Sequence, residues 1–192
     1  MKYCDFKTYL YLTYISFGLY ADNWSNITST LNPTDIFIKN DFIYVSTNGG
    51  VLIADTSFSN FETLDFDDGI YPLDILSIYI DSRENILLGG NSPYASIQVL
   101  NSINHPINTV FLDNIQSISS ISSIIEFNNS IYLTGIGSES DKLIECRYDE
   151  DGNLYYQTIV NNFPVQNISK IYDMDIYYQN GSDYLIITTN KG

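Results

Sequence analysis

The stretch "IYVSTNGGVLIAD", residues 43–55, places an asparagine and two glycines between two short runs rich in β-branched and aromatic residues. Two such runs joined by a few turn-forming residues are typical of an antiparallel hairpin. A reversal this tight favours positive φ, which Asn48, Gly49 and Gly50 reach at low cost. A phosphate-binding loop would need a helix after the glycines, and here a strand pattern follows. The stretch therefore predicts a hairpin in which the glycines are structural.

The same pattern returns along the chain. Runs similar to residues 43–50 begin at residues 86, 131 and 185 and read "ILLGGNSP", "IYLTGIGS" and "LIITTNKG". Another strand and a polar turn precede each copy, and a third and a fourth strand follow the first three copies. Four antiparallel strands that recur about every 40–50 residues are typical of β-propeller blades. A parallel β-helix or solenoid is the main alternative, although its coils are usually shorter.

The predicted fold is therefore all-β, an incomplete β-propeller of four-stranded antiparallel blades with about three blades and the start of a fourth. Residues 1–21 are predicted to be a signal peptide, and residues 22–192 a partial propeller domain truncated at its C-terminus. Propellers close with about four to eight blades. The open faces of a partial ring are expected to promote association, and the remaining blades of a longer chain are one expected partner.

Composition agrees with this fold and limits the partners. The chain of 192 residues contains 17 tyrosines and 10 phenylalanines, and its formal net charge is −15. Aromatic residues favour strands, whereas a strongly negative chain repels the phosphate backbone of nucleic acids. The excess acid is ordinarily a solvated surface, and it also favours cations or a basic partner. A nucleic-acid partner is therefore not expected.

The N-terminal segment has the pattern of an export signal. Lys2 and Lys7 precede an uncharged, mostly apolar run over residues 9–19. That run has the length of a signal-peptide core and is too short to span a bilayer. Cleavage is expected after Gly18 or after Ala21, and a buried first strand of the fold is the alternative. The pattern predicts an extracytoplasmic protein (periplasmic, outer-membrane or secreted) without a membrane span in this segment.

Three segments carry a resemblance to known propellers. "SIYIDSRENILLGG", residues 77–90, and "FETLDFDDGIYPLDILSI", residues 61–78, resemble the two-component-regulator propeller repeat, although Arg83 and Glu84 stand where that repeat has a glycine. Residues 21–55 are similar to the start of PorZ-type N-terminal propellers of the type IX secretion system. The resemblance implies a bacterial, non-catalytic, extracytoplasmic module that binds a protein or a glycan in cell-surface assembly, secretion or sensing.

The segment "DFDDGIYP", residues 65–72, is the best candidate for a partner-binding surface. It brings the carboxyl groups of Asp67 and Asp68 and the aromatic ring of Tyr71 together just before a new blade. Loops carry binding functions more often than the strands that support them. An ordinary Asp-Gly turn is the alternative interpretation of the same residues.

No residue is predicted to be catalytic, to bind a cofactor or to ligate a metal, and the chain is predicted not to be an enzyme. His105 is the one histidine and no Gly-x-Ser-x-Gly elbow accompanies it. Cys146 lies in a strand and is expected to be a buried, inert thiol. "DEDGN", residues 149–153, lacks the spacing and the bidentate glutamate of an EF-hand. The alternative is a carbohydrate-active or other hydrolytic propeller whose active site lies largely in other blades.

Overall fold

The computed structural model describes residues 31–71, 74–91, 94–101, 105–112, 115, 118–160 and 168–191. Their regular secondary structure is β-strand, apart from one short 3-10 helix between the first two sheets. The predicted signal peptide over residues 1–21 lies outside this part of the chain. No helix within the described ranges is long and apolar enough to cross a membrane.

The strands pair in chain order into separate antiparallel sheets, which we call blades 1 to 4. Blade 1 comprises β1 (Pro33–Lys39), β2 (Phe42–Thr47), β3 (Gly50–Asp55) and β4 (Phe61–Leu64). Blade 2 comprises β5 (Ile75–Ile80), β6 (Ile86–Gly90), β7 (Ser96–Leu100) and β8 (Pro106–Phe111). Blade 3 comprises β9 (Ile118–Phe127), β10 (Ser130–Gly137), β11 (Lys142–Tyr148) and β12 (Leu154–Val160). Blade 4 comprises, in the described part of the chain, β13 (Ile171–Gln179) and β14 (Ser182–Thr189).

This arrangement confirms the predicted fold class, an all-β protein built of four-stranded antiparallel blades. The first strands of successive blades contact one another, β1 with β5, β5 with β9 and β9 with β13. A four-stranded sheet is followed by a new sheet beside it rather than by another strand in the same sheet, which is the arrangement of propeller blades. Within the described ranges, the sheets do not close into a ring.

Successive blades pack face to face. We call the face that a blade turns toward the preceding blade its front face, and the opposite face its rear face. The front face of blade 2 presents Ile78, Ile80 and Leu88, each no more than 4% exposed. These side chains pack in one cluster with Phe37 and Tyr44 from the rear face of blade 1. Burying an isoleucine or leucine side chain contributes about 1.5–3 kcal/mol, so this contact stabilises both blades.

Alternation along the strands sends the neighbouring residues to the opposite face. Leu87 and Val99 on the rear face of blade 2 join a cluster with Ile131 and Leu133 on the front face of blade 3. At the next contact, Ile125 and Leu143 of blade 3 pack with Met174 of blade 4. Front-to-rear packing is therefore the same at all three contacts between blades.

Polar side chains connect adjacent blades at two places, between their inner strands and between their outer strands. At the inner strands, Thr34 Oγ1 donates to the carbonyl oxygen of Ile75 at 2.6 Å and Asp35 Oδ2 accepts from the Ile78 amide at 3.0 Å. At the outer strands, Asn108 Nδ2 donates to the Leu154 carbonyl oxygen at 2.7 Å and Asn108 Oδ1 accepts from the Leu154 amide at 3.2 Å. These bonds fix the register of one blade on the next.

The hairpin predicted from residues 43–55 is present, but the predicted role of its glycines is partly wrong. Asn48 and Gly49 form a two-residue turn without positive φ, which occurs instead at Gly50 with φ 150°. The hydroxyl of Thr47 closes the turn by accepting from the Gly49 amide at 3.2 Å and donating to the Gly50 carbonyl oxygen at 2.9 Å. A Cβ on Gly50 would lie 2.1 Å from the carbonyl oxygen of Leu64. Glycine is required there because β4 approaches the backbone closely.

Candidate functional site

The predicted partner-binding segment, residues 65–71 in the described chain, lies along the outer half of blade 2. A Cβ on Gly69 would be 2.8 Å from Pro106 Cγ, so the backbone of the segment touches the start of β8. At the end of the same strand, the ring of Tyr71 meets that of Phe111 edge-on, with 5.1 Å between the ring centroids. The segment therefore contacts both ends of β8, the outer strand of blade 2, and belongs to the outer rim of the blades.

The acidic residues of this segment have different roles. Phe66–Asp68 form a single 3-10 turn with Asp65 as its N-cap, and Asp65 Oδ1 accepts from the Asp67 amide at 2.8 Å. Asp68 Oδ2 accepts from the Asp65 amide at 3.0 Å and completes a capping box. The turn interpretation thus applies to Asp68, whose carboxyl stabilises the turn. The carboxyl group of Asp67 is exposed and makes no hydrogen bond or ion pair within the described residues.

A buried glutamine holds the segment in place. Gln98, in the middle of β7, is 2% exposed. Its Nε2 donates to the Gly69 carbonyl oxygen at 2.8 Å, and its Oε1 accepts from the Tyr71 amide at 2.9 Å. A buried amide that satisfies two backbone groups fixes the segment without leaving a polar atom unpaired. The sequence did not single out Gln98, whose one local signal is a polar residue within the apolar run "SIQVL".

We call the rim patch the exposed side chains of Phe66, Asp67, Asp68 and Phe111 together with the half-buried ring of Tyr71. Phe66 is 55% exposed and Phe111 45% exposed. The structure brings Tyr71 into contact with Phe111, which the sequence did not predict, whereas no contact in the described chain joins either acid to Tyr71. Exposed aromatic rings and unpaired carboxyl groups can together bind cations, the rings through their π-faces and the carboxyl groups through charge.

A second polar centre, unforeseen from the sequence, lies between blades 2 and 3. Asp81, which is fully buried, follows β5. Its Oδ1 accepts from the amides of Arg83 and Asn85 at 2.9 and 2.8 Å. Its Oδ2 accepts from Asn85 Nδ2 at 3.1 Å and from the hydroxyl of Tyr148, in blade 3, at 2.6 Å. Arg83 also stacks over the ring of Tyr148, with 4.3 Å between the guanidinium carbon and the ring centroid.

Neighbouring blades hold the same turn from both sides. The carboxyl group of Glu126, in blade 3, accepts from the amide and the hydroxyl of Ser82 at 2.6 and 2.7 Å. From blade 1, Lys39 pairs with Glu84 at 3.1 Å and donates to the carbonyl oxygen of Asp81. Glu84 has φ 64°, the conformation that a glycine would adopt most easily. The turn over residues 81–85 therefore joins three blades, and its chemistry is structural.

The folded protein is expected to lose stability as pH rises above about 10. Burial, and then the hydrogen bond and the charge of Asp81, raise the pKa of Tyr148 above its ordinary value of 10.0. The unfolded chain releases this proton near pH 10 while the folded chain keeps it, so the unfolded state binds fewer protons and the free energy of unfolding falls. Burial raises the pKa of Tyr44, Tyr79 and Tyr132 in the same direction.

Thermal unfolding between about pH 8 and pH 11 measures this effect. Tyr148→Phe should lessen the fall in stability above pH 10, because that variant lacks the proton in question. Equal slopes in the wild type and in Tyr148→Phe would contradict this origin of the pH dependence.

The other polar residues that the sequence singled out have structural surroundings. His105, just before β8, is exposed, and its amide donates to Asn101 Oδ1 at 2.9 Å. Cys146 is fully buried as predicted, and burial raises the pKa of its thiol to about 12. Asp149 Oδ1 accepts from the amides of Asp151 and Asn153, which makes "DEDGN" a hairpin turn. Within the described ranges, no three His, Cys, Asp or Glu side chains are grouped so that they could hold a metal ion.

The fold is similar to that of solved propeller-like structures, while the sequence matches neither a known protein family nor a curated protein. The computationally designed Ika4 protein superposes with a TM-score of 0.55 at 11% identity, over 88% of this chain and 91% of that one. The glycoside hydrolase CoXyl43, a GH43 β-xylosidase/α-arabinofuranosidase from a compost microbial metagenome, gives 0.43 at 13% identity, over 81% of this chain and 63% of the enzyme. A mutant α-L-arabinanase from Cellvibrio cellulosa gives 0.39 at 14% identity, over 82% of this chain and 67% of the enzyme. At these identities the likeness shows the fold alone.

These comparisons correct one prediction. The prediction that the chain is not an enzyme is contradicted, because two of the solved structures that the chain resembles are glycoside hydrolases. Their 13 and 14% identity establishes no catalytic activity here either. The specific resemblance to the two-component-regulator and PorZ-type propellers is not matched by any of these structures, and the common ground is a propeller-like arrangement of four-stranded sheets.

Proposed function

We propose that this chain is a binding module whose rim patch holds a basic segment of a partner protein. The observation that carries the proposal is the exposed ring of Phe66 on a segment that the buried Gln98 fixes to blade 2. Asp67 follows Phe66 in the chain, and its exposed carboxyl group makes no hydrogen bond or ion pair within the described residues. A lysine or arginine side chain placed over an aromatic ring gains about 0.5–2 kcal/mol, more when water is excluded. An adjacent carboxyl group adds charge and a hydrogen-bond acceptor for the same cation.

Rigidity of the segment supports a binding role. The capping box of Asp65 and Asp68 and the two hydrogen bonds of Gln98 define the backbone of residues 65–71 before any partner arrives. A preformed surface loses less conformational entropy on binding than a mobile loop does. The half-buried ring of Tyr71 and the exposed ring of Phe111, which contact each other, add further aromatic surface on the same scaffold.

The charge of the whole chain favours the same class of partner. A formal net charge of −15 attracts basic segments at long range and raises the rate of encounter. At 0.1 M ionic strength, salt largely screens that attraction beyond a distance of about 10 Å. Binding is therefore expected to be strong at low salt, with the aromatic rings providing the part that salt does not remove.

The setting of this function is part of the proposal. The N-terminal pattern of two lysines and an apolar run over residues 9–19 supports export, and the resemblance to PorZ-type propellers supports a role in bacterial cell-surface assembly, secretion or sensing. A mature N-terminus near Leu19 or Asp22 in the native host is the signature that this setting requires.

Phe66→Ala is expected to weaken binding of a fluorescein-labelled hexaarginine peptide about 5-fold, because one ring face is lost while the net charge is unchanged. Fluorescence anisotropy at low and moderate salt measures the affinity. Phe58→Ala is the matched control, since Phe58 is a 63% exposed ring of blade 1 that lies outside the rim patch. Asp67→Asn should weaken binding further and reduce its dependence on salt.

Two outcomes would contradict the proposed function. One is equal affinity of the wild type and Phe66→Ala for the peptide, and the other is an equal loss in Phe66→Ala and Phe58→Ala. Phe66 and Asp67 are preferred as test positions because Asp68 caps the turn and Tyr71 packs on Phe111. Substituting either of the latter would also disturb the segment itself.

A further inference from the structure

We propose that the open front face of blade 1 binds the open rear face of blade 4 in a second copy of this chain. The strand pairs Ile36–Val45 and Ile38–Ile43 in blade 1 occupy the same register as Ile78–Leu88 and Ile80–Ile86 in blade 2. All eight side chains are aliphatic, as expected for positions that another blade covers.

Exposure separates the two sets. Ile78 and Ile80 are 3 and 4% exposed, whereas Ile36 and Ile38 are 58 and 62% exposed. Phe61, whose partner Ala54 lies opposite Ile43, adds a 60% exposed ring to the same face of blade 1. A contiguous apolar face of this kind on a soluble protein marks an interaction surface.

The three contacts inside the chain show what such a face binds. Each front face is covered by the rear face of a blade, as Ile78 of blade 2 is covered by Phe37 and Tyr44 of blade 1. Sheets packed face to face in this way interdigitate their side chains over a distance of about 10 Å. The front face of blade 1 has the residue types and the strand register of the covered front faces, so a rear face is the surface that fits it.

Within the described residues, the rear face left uncovered is that of blade 4. Its exposed side chains are Tyr177, Tyr184 and Ile186, at 49, 51 and 42% exposure, and Tyr177 lies directly opposite Tyr184 across the strand pair. Tyrosine combines a large apolar ring with a polar tip and is enriched at interfaces between proteins. Asp175 takes the position that Phe37 has in blade 1, so the apolar contact of the new interface comes mainly from β14.

A polar group on blade 4 repeats the arrangement by which blade 1 holds blade 2. Asp35, after the bulge in β1, accepts from the amide of Ile36 through Oδ1 at 2.8 Å and from Ile78 of the next blade through Oδ2. Asp173, after the equivalent bulge in β13, accepts from the amide of Met174 through Oδ1 at 2.8 Å. No described residue donates to its second carboxyl oxygen, which is thus free to accept from the inner strand of an incoming blade.

The proposed interface joins two different surfaces, front to rear, and is therefore heterologous. Such an interface closes into a ring when the rotation between copies allows it and otherwise adds copies in a row. In both cases the assembly depends on protein concentration and has one junction for each pair of adjacent copies.

Sedimentation analysis of the whole chain over a range of concentrations, at about 0.15 M salt, tests the proposal. The wild type is expected to sediment above the monomer mass of 21.8 kDa. Ile38→Glu and Tyr184→Glu, each of which places a charge on one of the two surfaces, should both sediment as monomers with unchanged circular dichroism. Ile107→Glu is the matched control, because Ile107 is a 37% exposed isoleucine of β8 that belongs to neither surface.

Mixing the two disrupted variants decides whether the junction runs from front to rear. Ile38→Glu keeps the rear face of blade 4 intact and Tyr184→Glu keeps the front face of blade 1, so an equimolar mixture should form dimers and stop there. A monomeric wild type, an Ile38→Glu protein that still assembles, or a mixture that stays monomeric would each overturn the proposal.

Discussion

Asp81→Ala is expected to lower the free energy of unfolding by about 3–5 kcal/mol. The carboxyl group is fully buried and accepts four hydrogen bonds, two from backbone amides of its own turn, one from Asn85 Nδ2 and one from the hydroxyl of Tyr148. Alanine would leave these donors buried without an acceptor, and each such donor costs about 1–3 kcal/mol. Denaturant unfolding monitored by circular dichroism measures the loss.

Asp149→Ala provides the matched control for this change. Asp149 also accepts from two amides of a hairpin turn, those of Asp151 and Asn153, but it lies at the exposed end of β11 rather than between blades. Its loss should therefore be well under half as large, because water can replace the exposed acceptor. Tyr148→Phe removes one hydrogen bond from the Asp81 network and should fall between the two. Equal losses in Asp81→Ala and Asp149→Ala would show that the junction between blades contributes nothing beyond the turn.

Gly50→Ala is expected to destabilise the protein by roughly 3 kcal/mol or more, through two effects at one position. Its φ of 150° is a conformation that residues with a side chain rarely adopt. The new Cβ would also lie 2.1 Å from the carbonyl oxygen of Leu64, a backbone atom that cannot rotate away. For a chain of this length the melting temperature should fall by roughly 6–12 °C.

Gly152→Ala separates the two effects. Gly152 also has positive φ, at 85°, but a Cβ there would meet no atom within 4 Å. That variant should lose only about 1 kcal/mol, the ordinary cost of a side chain in the left-handed region. A melting temperature that falls equally in both variants would indicate that β4 moves away to accommodate the methyl group introduced by Gly50→Ala, and that its approach to β3 is not fixed.

The propeller fold could be predicted from the sequence because its signals are local. Alternating strands, polar turns and a repeat of the pattern at residues 43–50 all lie within one blade, where contacts join residues close in sequence. Even there, one local inference failed. The glycines after Thr47 suggested a turn of positive φ, whereas Asn48 and Gly49 lack it. Glycine is required only at Gly50, both by its own φ and by the carbonyl oxygen of Leu64 on another strand.

The candidate site could be predicted only in part. The sequence located the segment with Asp67, Asp68 and Tyr71, but it did not separate the capping role of Asp68 from the free carboxyl group of Asp67. It also gave no sign that Phe111 belongs to the same surface, 40 residues after Tyr71. That contact arises because the segment runs back along β8, and the course of a connecting segment depends on the blade it crosses.

The sequence by itself determined the unit of this protein, a four-stranded antiparallel blade, because strand alternation and turn residues act within each hairpin. Only the tertiary structure decided which side chains hold the blades together and which remain open. Tyr148 meets Asp81 across 67 positions of the chain, and Gln98 binds the backbone of Gly69 across 29. Such bonds follow from the packing of one sheet on the next, which sets distances that no local pattern records. The same packing buries Ile78 and leaves its equivalent Ile36 exposed, although the two residues are alike in sequence.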